Sequence, residues 1–169
     1  MFDPLVYTSG RIRDHGVMDP LAAIAALPPT VAEDLVATAV AEQFGLEGSY
    51  LPLVSERDQN FRLTTADGRR FVVKVTSSRE DRPSSDLQLG ALLHLEGKGV
   101  STPTVVRTLD GKAFARVDAG ERGHRLRVVT WIDGETLRST GIDADHAARL
   151  GAALARLDRA LQDYVHPGD

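Results

Sequence analysis

The chain has 169 residues, 42% of them apolar and 26% charged, and its 24 Asp and Glu against 20 Lys and Arg give a formal net charge of −4. This is enough apolar material for one soluble globular domain or slightly more, while the acidic balance excludes a strongly basic nucleic-acid binder. With no cysteine, disulfides, thiolate metal sites and a cysteine nucleophile are excluded too, as suits a reducing cytoplasm. The five histidines, at 15, 94, 124, 146 and 166, show no i,i+4 pair of the kind that holds zinc on a helix.

Residues 1–29 read as a tail. The apolar run Leu21–Leu27 is seven residues long, far below the roughly 20 needed to cross a bilayer, and Asp19 and Pro20 in front of it spoil a signal-peptide core. A cytoplasmic protein with no membrane partner is expected. Residues 1–17 have no periodicity, so translation from Met18 is a second way to read the tail. After Pro28-Pro29, Thr30-Val-Ala-Glu33 has the form of a capping box. Val31, Leu35, Val36, Ala39, Val40 and Phe44 then recur at helical spacing until Gly45.

Three short strands are expected next, over Tyr50–Val54, Asn60–Thr65 and Arg70–Thr76. Asp67-Gly68 joins the last two as a hairpin, because Asp and Gly tolerate the positive φ of tight turns. Ser85-Asp-Leu-Gln88 again has capping-box form and opens a helix with Leu87, Ala91, Leu92 and Leu95 on one face, ended by Gly97 and Gly99. Thr104–Leu109 and Lys112–Val117 flank a second turn, Asp110-Gly111, and Arg125–Trp131 is the fifth strand candidate, closed by Asp133-Gly134. Asp143 or Asp145 caps a last helix whose Leu150, Leu154, Leu157 and Leu161 form one stripe. Tight hairpins demand antiparallel pairing, so the expected fold is α+β: a five-stranded antiparallel sheet with one inserted helix and flanking N- and C-terminal helices.

Strand three, Phe71-Val-Val-Lys-Val75, carries the chemistry. Period-two alternation puts Val72 and Lys74 on one face and Phe71, Val73 and Val75 on the other. A lysine inside an apolar strand is costly unless its ammonium meets an anion or reaches water. It either guards a sheet edge, snorkelling to solvent, or points at a phosphate in a cleft, as the strand-three lysine of kinases does.

Leu53-Val-Ser-Glu-Arg-Asp-Gln-Asn-Phe61 followed by Ala66-Asp-Gly-Arg-Arg-Phe-Val-Val-Lys74 resembles the aminoglycoside phosphotransferase-like kinases, in particular their hydroxylysine-kinase-type branch. Leu87-Gln-Leu-Gly-Ala-Leu-Leu-His-Leu95, Gly99-Val-Ser-Thr-Pro103 and Val128-Val-Thr-Trp-Ile-Asp-Gly-Glu135 extend the resemblance over about residues 30–166. In that branch the domain also occurs fused to an aminotransferase-like phospholyase. The resemblance implies the N-terminal lobe of a protein-kinase-like fold: a tail over 1–29, a nucleotide-binding lobe over 30–133, and a linker with the first helix of a truncated catalytic lobe over 134–169.

It further implies that Lys74 contacts the α/β-phosphates of ATP or GTP held with Mg²⁺, and that Ser55, Asp58 and Asn60 belong to a hairpin loop over those phosphates. Plain turn chemistry is the alternative for Asp58 and Asn60. Gln88 falls where the family has a glutamate paired to the lysine. It supplies no countercharge and completes a capping box besides, so neighbouring Asp86 is an alternative partner. Thr130, Trp131 and Ile132 would form the hinge whose backbone meets the purine edge, and Phe61 and Val72 would line an apolar base slot or simply belong to the core. The charged run Arg79-Glu-Asp-Arg82 reads as solvated loop.

The family's catalytic loop, His-x-Asp-x-x-x-x-Asn with a later metal-binding Asp, is absent, because Asn60 is the only asparagine. No catalytic residue and no metal ligand is therefore assigned. The expected function is the nucleotide-binding lobe of a phosphotransferase acting on an alcohol group of an amino-alcohol or hydroxylysine-like substrate, inactive alone, its small hydroxylated substrate held by a missing lobe. A non-catalytic nucleotide- or protein-binding module is the alternative. The leucine stripe of the last helix, lacking that lobe, is expected to drive self-association.

Overall fold

The computed structural model describes residues 28–76, 82–119, 123–135 and 141–166. The tail expected up to residue 27, with Leu21–Leu27 and Met18, lies outside them, as do residues 79–81 of the charged run. Chain order is helix α1 (Glu33–Phe44), strands β1 (Gly48–Leu53), β2 (Gln59–Thr65) and β3 (Arg70–Thr76), helix α2 (Arg82–Leu95), strands β4 (Ala115–Val117) and β5 (His124–Thr130), and helix α3 (Ala144–Leu161). The strands form a single antiparallel sheet in the order β1-β2-β3-β5-β4.

Alternation in β2, β3 and β5 divides the sheet into two faces. Phe61, Leu63, Phe71, Val73, Val75, Leu126 and Val128 are buried on one face and pack with Val36, Ala39, Val40 and Phe44 of α1. Tyr50 joins them, its ring edge-on to Phe61 at 6.0 Å. Phe61 is therefore core and stands on the face opposite Lys74, away from any base slot there. The opposite face carries Asn60 and Arg62 from β2, Val72, Lys74 and Thr76 from β3, and Arg125, Arg127 and Val129 from β5, cross-strand partners sharing a face.

Several boundaries depart from those expected. α1 has no capping box: its N-cap is Ala32 with no side-chain hydrogen bond. The chain before it is fastened instead by Gln59, whose carboxamide accepts from Val31 N at 2.8 Å and donates to Val31 O at 2.9 Å. α2 begins a turn before Ser85, with Pro83 in the first turn, where a missing amide costs nothing. Its buried positions are Ser85, Leu89 and Leu95, while Leu87 is exposed.

The segment Thr104–Leu109, which flanks the second turn, makes only one bridge, Val105 to Val129, and β4 is confined to Ala115–Val117. The two pieces share the outer edge of β5. Thr104 O and Val106 N bond Thr130 N and Val128 O, whereas Leu109 N turns away to Gln43 O at the end of α1.

Both hairpin turns form, by one device. Thr65 and Thr108 accept from the amides of Gly68 and Gly111 three residues on, and each threonine hydroxyl donates to the aspartate between them. Only the glycines, at φ 84° and 81°, take the positive φ; among the described residues no other residue type does so. α3 is capped by Asp143, which accepts from His146 N at 2.7 Å. Among the described residues no helix is long and apolar enough to cross a membrane.

Candidate functional site

Lys74 sits at the centre of the sheet face opposite α1. Antiparallel register puts Asn60 of β2 beside it on one side and Arg127 of β5 on the other. Its ammonium pairs with Asp58 Oδ2 at 2.6 Å, and the two side chains are 27% and 9% exposed. β3 is flanked by β2 and β5, so the lysine does not guard a sheet edge.

Asp58 comes from the loop joining β1 and β2. Its amide donates to the Ser55 hydroxyl at 3.4 Å, a weak turn contact, while its carboxylate is spent on Lys74. Turn chemistry therefore accounts for Ser55 but not for the Asp58 side chain. Asn60 lies within β2, and its Oδ1 is buried without a hydrogen-bond partner. Asp58 and Asn60 are thus brought to the lysine by one hairpin, and Ser55 bonds the Asp58 amide.

Gln88 does not supply the lysine's partner. Its Oε1 accepts from Arg127 Nη2 at 3.3 Å, and Asp86 pairs with Arg125 Nη1 at 2.6 Å. Asp86 and Gln88 of α2 therefore hold the two arginines of β5, and the lysine's counterion comes from the loop instead. Arg127 is itself buried. It and Arg62 share the Lys74 face and were missed in the sequence, although the alternation that placed Lys74 also places both.

The proposed hinge lies at the end of β5. The amides of Thr130 and Trp131 donate to Thr104 O and Arg70 O at 3.0 and 3.1 Å, and the Thr130 hydroxyl accepts from Thr104 N at 2.9 Å. Those two amides are bonded within the protein. Ile132, just beyond, is exposed. Trp131 is partly buried, with the Arg62 guanidinium carbon 5.8 Å from its ring centroid. Arg70, beside it, makes an ion pair with Asp133.

Cavities of about 560, 540 and 370 Å³ lie elsewhere, the first between Lys98 and Asp163 where α2 meets α3. Among the described residues no three His, Asp or Glu side chains cluster to hold a metal ion. The described residues by themselves do not fit a divalent cation.

The profile of the phosphotransferase enzyme family (APH) matches residues 49–168. The chain belongs to this family. It is 26% identical over 157 residues to hydroxylysine kinase of Mus musculus, covering 85% of the chain and 42% of that protein. It is 31% identical over 107 residues to homoserine kinase of Mesorhizobium japonicum, covering 63% and 31%. Among solved structures, amicoumacin kinase in complex with AMP-PNP, Ca²⁺ and Ami superposes with a TM-score of 0.69 at 18% identity, over 80% of this chain and 41% of that one. A microcompartment-associated aminopropanol kinase gives 0.62 at 17%, over 81% and 43%. These two show a common fold, the kinase-like lobe expected from the sequence. The chain spans about two-fifths of the length of the hydroxylysine kinases it matches.

Proposed function

We propose that this chain is the nucleotide-binding lobe of a small-molecule kinase, with residues 30–133 forming the lobe and 134–169 the linker and first helix of a second lobe. The whole enzyme would move the γ-phosphoryl group of ATP or GTP to a hydroxyl of an amino alcohol or hydroxylysine-like acceptor. The observation that carries this is a half-buried lysine on a central strand, on the sheet face opposite α1, held by a carboxylate from the adjoining hairpin loop. The Lys74 ammonium has three donors. One reaches Asp58, leaving two for phosphate oxygens, with the Asn60 carboxamide directly alongside.

Support for the acceptor class comes from the relatives, which include kinases of hydroxylysine and homoserine, and support for a nucleotide from the AMP-PNP and Ca²⁺ carried by amicoumacin kinase. A divalent cation, when bound, would neutralise charge on the phosphates. By the family resemblance its ligands would come from the His-x-Asp-x-x-x-x-Asn loop and a later Asp, a pattern this sequence does not contain. The chain alone is accordingly expected to hold nucleotide without transferring phosphate.

Titration with ATP and GTP tests this. Changing Lys74 alone would leave the Asp58 carboxylate buried and unpaired, so the informative variant is Lys74→Met with Asp58→Asn, which removes both charges together. The wild-type chain should bind nucleotide and the double variant should bind at least about tenfold more weakly, the loss of one charge-assisted contact. Equal binding, or none in either, rejects the proposal.

A further inference from the structure

Arg62 has no part in the phosphate chemistry of Lys74, yet it stands on the same face. It lies two residues along β2 from Asn60 and opposite Val72, as Asn60 lies opposite Lys74. Two residues of strand displace it by about 7 Å from the row of the lysine. The displacement runs towards the end of the sheet where β5 exits at Thr130 and Trp131, since Phe71 pairs with Thr130 while Lys74 pairs with Arg127.

Two observations say that this arginine is set up for something outside the chain. Its Nε is buried and has no hydrogen-bond partner, although a guanidinium cannot shed its proton to escape an unmet donor. And its guanidinium carbon lies 5.8 Å from the centroid of the Trp131 ring, so the charge is braced by a π face and keeps its remaining donors. Together with the unpartnered Asn60 Oδ1, unmet hydrogen-bonding capacity runs in a line from the lysine's row to the arginine's. A flat aromatic ligand segment attached to the polyphosphate at Lys74, bearing an acceptor for Arg62 Nε–H and a hydroxyl donor for Asn60 Oδ1, meets each of these needs. A guanidinium stacks on aromatic rings and donates within its own plane.

We propose that Arg62 holds the base and ribose half of the nucleotide, stacking on the base and donating Nε–H to an acceptor in that half. This deepens the nucleotide assignment of the Lys74 face and rests on it. It makes the wall of the base site cationic where an aliphatic residue would give only apolar contact, and it makes Arg62 a residue that tells nucleoside from bare phosphate.

The test is titration of the 169-residue chain with ATP, GTP and inorganic tripolyphosphate, followed by emission of Trp131, the sole tryptophan. Arg62→Met keeps the packed stem and removes the charge and the donors. It should weaken ATP and GTP by roughly tenfold or more, change tripolyphosphate binding by less than about twofold, and abolish the nucleotide-dependent change in Trp131 emission. Arg62→Lys, cationic but without the planar donor, should recover little of the nucleotide affinity. Lys74→Met with Asp58→Asn should weaken all three ligands. The proposal is overturned if Arg62→Met weakens all three alike, which is a general charge effect, or weakens none. If the Lys74 and Asp58 double variant leaves all three unchanged, or the wild-type chain binds none, the nucleotide assignment itself fails and the role of Arg62 fails with it.

Discussion

Lys74 stands where a charge should not be, in the middle of an apolar strand between two hydrogen-bonded neighbours, and it is tolerated because Asp58 meets it at 2.6 Å. Alternation alone located the lysine and its face. It could not locate the counterion, because a loop carboxylate obeys no period. The family resemblance offered Gln88, with Asp86 as the alternative, and these bond Arg127 and Arg125 of β5 instead. Breaking a buried pair by removing one partner costs about 3–5 kcal/mol, reduced here because a quarter of Lys74 is exposed. Lys74→Met alone should therefore lower the melting temperature clearly, and adding Asp58→Asn should recover much of the loss. Failure of the second change to recover stability would show that the ion pair is not what holds this hairpin. Tyr50 offers a second test. Burial, and then the negative charge of Glu33, push its phenol up to about 12 from 10, and its hydroxyl is buried without a partner. The fold favours the neutral phenol, so the stabilisation is complete below pH 10 and is lost as pH rises from 10 towards 12. Tyr50→Phe should flatten the alkaline arm of a stability profile over that range and cost little at neutral pH. An unchanged alkaline arm would contradict this origin of the shift.

Strands and hairpins were legible in the sequence, and helix starts were not. β2, β3 and the two Thr-x-Asp-Gly turns follow from local rules that the rest of the protein reinforces. Ala32 and Arg82 open their helices against the capping patterns at Thr30 and Ser85 because tertiary ties decide the entry: Gln59 fixes Val31 before α1, and Ser85 is buried inside α2. Asp143 is the case where the local rule holds. Asp143→Ala should destabilise α3, read as faster amide exchange in its first turn; unchanged protection there would show the cap to be idle. The docking of α3 on α2 depends on a glycine that no pattern flags. Tyr164 donates to Leu87 O at 3.2 Å, and a Cβ on Gly90 would lie 2.2 Å from that hydroxyl. Gly90→Ala should displace Tyr164 and loosen this junction, where His94 and Lys98 also reach Asp163 and Ala160 O. A retained Tyr164 environment by NMR would refute the close approach.

α3 runs for 18 residues with none of them buried. Leu157 and Leu161 are partly covered, but Leu150 and Leu154 are 43% and 51% exposed, an apolar stripe that water does not favour. The stripe was legible from its spacing; its exposure was not, because period 3.6 says which residues share a face and nothing about what covers it. The chain also spans about two-fifths of the hydroxylysine kinases it resembles. In dilute solution the chain should self-associate through this stripe, and Leu150→Glu with Leu154→Glu should return it to monomer in sedimentation. A monodisperse wild-type monomer with α3 ordered would contradict that. The central claim concerns the Lys74 face of the sheet, and a crystal structure of the chain with a non-hydrolysable ATP or GTP analogue tests it most directly. The α- or β-phosphate oxygens should lie within hydrogen-bonding distance of Lys74 Nζ, on the face shared with Asn60 and Arg62. Nucleotide bound elsewhere, with Lys74 contacting only Asp58, would contradict the account.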